Sequence, residues 1–295
     1  MTQSSDPWAA WLLKNRHGGS EENRQRAIEG LRPVRDKVLE NARISKGDTL
    51  LDVGTGDGLI GFGAMDKVGA DGQIIFSDIS QELLDVCKAY ATEAGLLDRC
   101  EFIKANATDL SAVPSESIDV VTTRSVIIYV QKKQAAFDEF FRVLKKGGRV
   151  SIFEPIAKLS SEFVPRSDYY LGYDIRPVKE LVEKVKVAHK AQYGAQSTMS
   201  DFDERDLVKM LDKSGFDFIR MELEVTLGNA GMMSGNWEAF YNASPNPLVP
   251  TLREQVETAL TSEEQERFIA HIKPLVESNT GRTAQCHAFV MAIKE

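Results

Sequence analysis

The sequence predicts an α/β protein built on a doubly wound, seven-stranded sheet, with helices ahead of it and helical insertions within it. Three observations carry this expectation. Short apolar runs alternate with helix-period segments from residue 49 to residue 153, the pattern of parallel βαβ units joined by right-handed crossovers. The first run, Leu50, Leu51 and Val53 around a single acid, Asp52, breaks into Gly54-x-Gly56-x-Gly58 and re-emerges as a helix pattern at Leu59 and Ile60. Two later strands, 216–225 and 284–293, bring the count to seven across a long insertion.

Residues 8–40 read as helical. Pro7 suits a first helical turn, and Trp8, Trp11 and Leu12 fall on one face. A polar break, Arg16-His17-Gly18-Gly19-Ser20, precedes a second helix ending near Ala42, in which Pro33 is expected to bend or break the run. Strand 50–53 leads to a helix, then to strand 73–77. The next helix places Leu83, Cys87, Ala91 and Ala94 on one face and stops at Gly95. Strands 101–104 and 118–122 follow. A helix then carries Phe137, Phe140, Phe141 and Leu144 at i, i+3, i+4 and i+7, closed by Gly147-Gly148, before strand 149–153.

After Glu154-Pro155 the rhythm breaks. Residues 156–200 hold Tyr169, Tyr170 and Tyr173 and a charged helical stretch, 178–190, with no expected strand. Alternation resumes at Asp203, an N-cap residue flanked by Phe202 and Leu207 at staple positions, and that helix ends at Gly215. A second break, 227–280, contains Trp237, Phe240, Tyr241, the turn Pro245-Asn246-Pro247 and helices near 249–259 and 262–276. The expected organisation is therefore an N-terminal helical lid (1–47), a nucleotide-binding core (48–155), a cap insertion (156–202), core again (203–226), a second helical insertion (227–283) and a final core strand (284–295).

Composition narrows the function classes. A formal charge of −8 argues against a general nucleic-acid surface, which needs clustered Lys and Arg. Three cysteines, Cys87, Cys100 and Cys286, cannot all pair and match no zinc spacing, so no metal site is expected. No apolar run reaches the length of a membrane span and the first residues are polar, so the reading is a cytoplasmic protein with no membrane partner.

The glycine triplet lets the main chain turn tightly and approach a ligand, at the start of a helix whose free N–H groups favour an anion. A dinucleotide site wants G-x-G-x-x-G, but Leu59 stands where its third glycine belongs. Gly61 and Gly63 are either a shifted variant of that pattern or helix-packing glycines.

Asp52-Val-Gly54-Thr-Gly56-Asp-Gly58, with Asp78 closing the second strand in Phe76-Ser77-Asp78-Ile79-Ser80, resembles motifs I and II of class I S-adenosylmethionine (SAM) dependent methyltransferases of the small-molecule type. The runs 104–110 and 142–150 are similar to that family's adenine loop and its approach to strand five. The resemblance covers 48–155 well and 203–226 and 284–294 loosely. It implies a mostly parallel sheet with an antiparallel last strand, and SAM across the ends of strands one to four. It also implies Asp78 as acceptor for the ribose diol, the helix-start acid being its alternative. Asp52 falls near the methionine amine or serves as a structural acid. Gly54, Thr55, Gly56 and Gly58 form the turn, Ile79 or Leu83 an apolar wall, and Asn106 and Ala107 the adenine contacts. Asn106 departs from the family's frequent Asp but still offers a carbonyl.

Arg124-Ser125 closes strand four, where cofactor or substrate contacts project, and the segment lacks the Asn/Asp-Pro-Pro-Tyr box of base-modifying enzymes. In-line methyl transfer is mainly a matter of positioning. A general base matters if the acceptor is a hydroxyl, and Glu154, Tyr129 and His17 are the candidates; His189 reads as solvated, His271 and His287 as structural. Tyr170, Tyr173, Trp237 and Phe240 either wall a small-molecule pocket or form a satellite core. The expectation is methylation of a small organic molecule, oxygen slightly ahead of carbon or nitrogen. A non-catalytic SAM-binding module and a nicotinamide oxidoreductase are the alternatives.

Overall fold

The computed structural model describes residues 6–16, 21–165, 167–193, 198–229, 235–244 and 246–295. Seven strands form one sheet: β1 (Thr49–Val53), β2 (Gln73–Asp78), β3 (Cys100–Lys104), β4 (Ile118–Arg124), β5 (Leu144–Pro155), β8 (Phe218–Gly228) and β9 (Thr283–Ile293). Their order is β3-β2-β1-β4-β5-β9-β8. β2, β1, β4 and β5 pair in parallel down the middle, and β9 runs antiparallel to β5 with Phe153 opposite Phe289. Both the strand count and the reversed last strand agree with expectation. The order changes direction between β1 and β4, and ligands bind at the carboxyl ends of strands beside such a switch point.

The chain forms two compact units. The sheet unit comprises Ala27–Ile156, Thr198–Glu224 and His287–Glu295. Its helices are α2 (Glu21–Asn41, from Ala27 on), α3 (Leu59–Val68), α4 (Gln81–Glu93), α5 (Lys133–Val143) and α8 (Glu204–Ser214). Val38 and Leu39 of α2, Ile60 and Ala64 of α3, and Leu84 and Cys87 of α4 bury themselves with Leu50, Ile74, Phe76, Val120, Phe153 and Phe289. Gly61 exists for this packing: a Cβ there would lie 2.4 Å from Phe76 Cε1. The helix-packing reading of that glycine is the correct one. Most of α2 thus belongs with the sheet, whereas the sequence grouped residues 1–47 as one segment.

Local differences from expectation have simple causes. Helix α2 runs unbroken through Pro33, which sits on its exposed face. Helix α5 ends before the glycine pair because Leu144 already turns extended; Gly147 and Gly148 lie in an irregular start of β5, where the β4–β5 register shifts. Asp203 caps α8 in a reciprocal box with Asp206, flanked by the buried Phe202 and Leu207, and Gly215 closes the helix at φ +101°.

The helical unit comprises the described residues within Met1–Arg26, Ala157–Ser197 and Val225–Cys286. It contains α1 (Pro7–Ala10), α6 (Ala157–Phe163), α7 (Lys179–Tyr193), α9 (Trp237–Asn242), α10 (Leu252–Ala259) and α11 (Ser262–Glu277). It also holds a small antiparallel pair, β6 (Tyr169–Tyr170) and β7 (Tyr173–Asp174), where the sequence predicted no strand. Two residues per strand are too few to show an alternation. The unit has its own core: Tyr173, Leu181, Val182, Trp237, Phe240, Val256, Phe268 and Ile272. Thr251 and Thr261 cap α10 and α11 through boxes with Glu254 and Glu264.

Candidate active site

The site gathers at the carboxyl ends of β1, β2, β3 and β4. After β1 the chain turns with positive φ at Gly54 (+65°), Gly56 (+59°) and Gly58 (+85°). Thr55 N–H donates to Ser77 O at 3.0 Å and Gly56 N–H to Asp78 Oδ2 at 2.9 Å, so the turn is hung on the end of β2. Asp78 therefore lies directly against the glycine bend. Its other oxygen accepts from Ser80 N–H at 2.9 Å. Ser80 itself caps α4 by accepting from Leu83 N–H.

Asp52 is placed differently. It is 1% exposed; Oδ2 accepts from Thr55 Oγ1 (2.6 Å) and Gly61 N–H (3.1 Å), and Oδ1 from Thr122 Oγ1 (2.8 Å). Its three hydrogen bonds hold it to the inner side of the turn, an arrangement that serves the turn's shape. Thr55 is likewise turned inward and buried. Burial raises the Asp52 carboxyl to about 6, with its three hydrogen bonds and the charge of Arg124 opposing the rise.

The loop after β3 is tied to β2 by Ala105 N–H donating to Asp78 O at 3.0 Å. Asn106 Oδ1 accepts from both N–H and Oγ1 of Thr108 at 3.0 Å, a side-chain turn that shapes the loop, while Ala107 is buried. Arg142 of α5 holds the far end of this loop, donating to Leu110 O, Val113 O and the Glu139 carboxylate. The Arg142 guanidinium keeps the Glu139 carboxyl below its usual range.

After β4, Arg124 is half-buried and Ser125 adopts φ +56°, its N–H donating to Phe153 O at 2.8 Å. Glu154 is fully buried, with Oε1 accepting from Val126 N–H (2.7 Å) and Ile127 N–H (2.8 Å) and Oε2 from Ile128 N–H (3.2 Å). Burial pushes this carboxyl up to about 7, against those amides and Arg124. Glu154 is thus committed to the loop. Tyr129 is half-buried in the 3₁₀ turn that follows, and His17 lies outside the described residues. Cys87, which the sequence set aside, donates its thiol to Gly56 O at 3.4 Å; burial and the nearby carboxylates push its pKa well up, so it stays protonated.

Of the four aromatic residues expected to wall a substrate pocket, Tyr173, Trp237 and Phe240 are instead 0%, 7% and 4% exposed in the core of the helical unit. Tyr173 meets Phe240 edge-on at 5.1 Å, and Trp237 stacks on Tyr241 at 4.7 Å. Tyr170 packs against that core, half-buried, its hydroxyl 3.4 Å from Gln255 Oε1. The satellite-core alternative describes Tyr173, Trp237 and Phe240, with Tyr170 packed against its edge. His189 is half-buried rather than solvated, and His271 Nε2 contacts Asp174 O at 2.8 Å. Among the described residues no group of three or more His, Cys, Asp or Glu side chains is placed to hold a metal, and no helix is long and apolar enough to cross a membrane.

A model of the ubiE/COQ5 methyltransferase family matches residues 28–235, well over half of the chain. The chain belongs to that family. The ubiquinone/menaquinone biosynthesis C-methyltransferase of Francisella tularensis subsp. novicida is 29% identical to it over 188 residues, covering 63% of this chain and 73% of its own length. The protein of the same name from Xylella fastidiosa is 28% identical over 179 residues, covering 61% and 70%. The solved structure of the YcgJ protein from Bacillus subtilis matches with TM-score 0.54 at 15% identity, over 88% of this chain and 97% of that one, a likeness of fold.

As a ubiE/COQ5-type methyltransferase the protein is an enzyme that uses SAM, and the nicotinamide and non-catalytic alternatives fall away. The site suits that cofactor. A carboxylate at the end of β2 stands beside bare glycine main chain, and Ile79 next to it is left 42% exposed, an open apolar surface adjoining an acid. Sequence reasoning missed Thr122, Val126, Cys87 and the Glu139–Arg142 pair. Strand register gives a signal for the first: Thr122 is the β4 partner of Asp52.

Proposed function

We propose that this enzyme places the methyl group on a carbon atom of a small, electron-rich ring, in preference to the oxygen that the sequence alone favoured. The observation that carries this reading is the commitment of Glu154: the buried carboxylate best placed by sequence to deprotonate a hydroxyl is spent on three backbone amides. Attack by ring electrons asks less of a protein base than attack by a hydroxyl. The name shared by the relatives from Francisella and Xylella supports the same acceptor atom.

When bound, SAM supplies a methyl carbon activated by its sulfonium and a neutral thioether as leaving group. In our reading, Asp78 accepts from the ribose hydroxyls through charge-assisted bonds. The main chain at Gly54, Thr55, Gly56 and Gly58 lies along the amino-acid tail. Ile79 and Leu83 face the adenine, with Asn106 and the Ala107 main chain at its edge. Arg124 and Ser125 border the reacting end, and Tyr129, on the loop that Glu154 fixes, handles the acceptor's proton. These residues bind, orient and exclude water; positioning is the larger part of the rate.

Methyl-labelled SAM, offered with hydroquinone-type and simple phenolic acceptors, tests the proposal. Label recovered as a carbon-bound methyl supports it, and an O-methyl ether as the sole product overturns it.

A further inference from the structure

Two successive residues of β5 hold four successive amides of the loop after β4. Phe153 O accepts from Ser125 N–H, and the Glu154 carboxylate accepts from Val126, Ile127 and Ile128 N–H at 2.7, 2.8 and 3.2 Å. The loop needs this hold. Ser125 sits at φ +56°, a conformation a non-glycine residue adopts at a cost. The loop's other end is pinned by Lys133 Nζ, which donates to Val130 O at 2.8 Å and Thr198 O at 3.1 Å and pairs with Asp201 at 2.6 Å.

The held loop meets the cofactor turn where Val126 lies against Gly54. Val126 Cγ2 would lie 2.4 Å from a Cβ on Gly54, so the valine occupies the space that this glycine leaves. Gly54 opens the turn whose next glycine is bonded to Asp78. A continuous mechanical path therefore runs from Glu154 through Val126 to Gly54, and on to Gly56 and Asp78. Oε1 accepts two of these amides and Oε2 the third; a glutamine keeps one acceptor oxygen and sets an N–H group against the remaining amide.

We propose that Glu154 is a positioning residue for cofactor binding, its carboxylate fixing the loop after β4 so that Val126 seats the glycine turn in its binding shape. This holds whichever atom accepts the methyl group.

The test measures binding of S-adenosylhomocysteine to the full chain by titration calorimetry, with hydrogen exchange at residues 126–128 as a second readout. Glu154→Gln is expected to weaken binding at least tenfold and to speed exchange at those amides. It should raise KM for SAM far more than it lowers kcat. Val126→Ala, which removes no hydrogen bond, is expected to weaken binding at least fivefold while the amides stay protected. The two changes together should cost less than the product of their separate effects, as for residues acting along one path. Ser151→Ala controls for stability alone: Ser151 lies on the same strand and its buried hydroxyl donates to Val38 O at 2.7 Å. It should lower stability with binding unchanged.

Three results would overturn the proposal: Glu154→Gln binding within twofold of the parent, Val126→Ala without effect, or Ser151→Ala weakening binding as much as Glu154→Gln at equal loss of stability. Should Glu154→Gln not fold, Val126→Ala decides alone.

Discussion

The two buried carboxylates beneath the site make the fold's stability depend on pH in an unusual direction. Burial raises Asp52 from 3.8 to about 6 and Glu154 from 4.5 to about 7. Between the unfolded and folded pKa of each group, the folded chain holds a proton that the unfolded chain has released. Stability therefore falls as pH rises through that interval: it is fully present below about 4 for Asp52 and 4.5 for Glu154, and lost above about 6 and 7. Shifts of about two units correspond to about 3 kcal/mol each. Carboxyls held low act oppositely under acid, notably Glu264, lowered to about 2 by Lys184, although that pair is exposed and contributes little. His287, lowered by burial, also gains stability with rising pH, over a smaller span. Urea unfolding at pH values from 4.5 to 8 should show greatest stability at the acid end of that range and a loss of several kcal/mol by pH 8. Glu154→Gln should flatten the upper half of that decline. A parent protein as stable at pH 8 as at pH 5 would refute the reasoning.

Asp78→Ala should weaken SAM binding roughly tenfold to a hundredfold by calorimetry, the worth of a charge-assisted bond; an affinity within twofold of the parent would remove Asp78 from the site. Gly61→Ala should destabilise the sheet unit by about 1–3 kcal/mol in urea, because its Cβ would stand 2.4 Å from the Phe76 ring inside a filled core. Gly63→Ala, whose nearest neighbour at 2.6 Å is the Arg35 stem, should cost less than about 1 kcal/mol, since that side chain can shift. Trp237→Ala should destabilise the helical unit by about 3–5 kcal/mol, read by thermal unfolding, as expected of a core ring rather than a pocket wall.

The sheet was legible because its evidence is periodic. Apolar runs, helix spacing and the glycines after β1 each report on neighbouring residues alone, and Asp78 declared itself by closing the next strand. Asp52 shows where such reading stops: an acid at a strand end looks the same whether it faces a ligand or a threonine on an adjacent strand, and only the register with Thr122 decides. Glu154 is a similar case, since the three amides that occupy it belong to residues 126–128. Trp237, Phe240 and Tyr173 have the composition of a pocket and of a core alike. Burial separates the two, and burial is a property of the assembled chain.

The helical unit is drawn from three stretches of sequence, with the residues of the sheet unit between them. Its cluster joins Tyr173 to Val276, about a hundred positions apart along the backbone. Contacts over such spans gain nothing until the intervening chain has been ordered, so closure entropy weighs on them first. This core should accordingly close late, after the helices that contribute to it have formed.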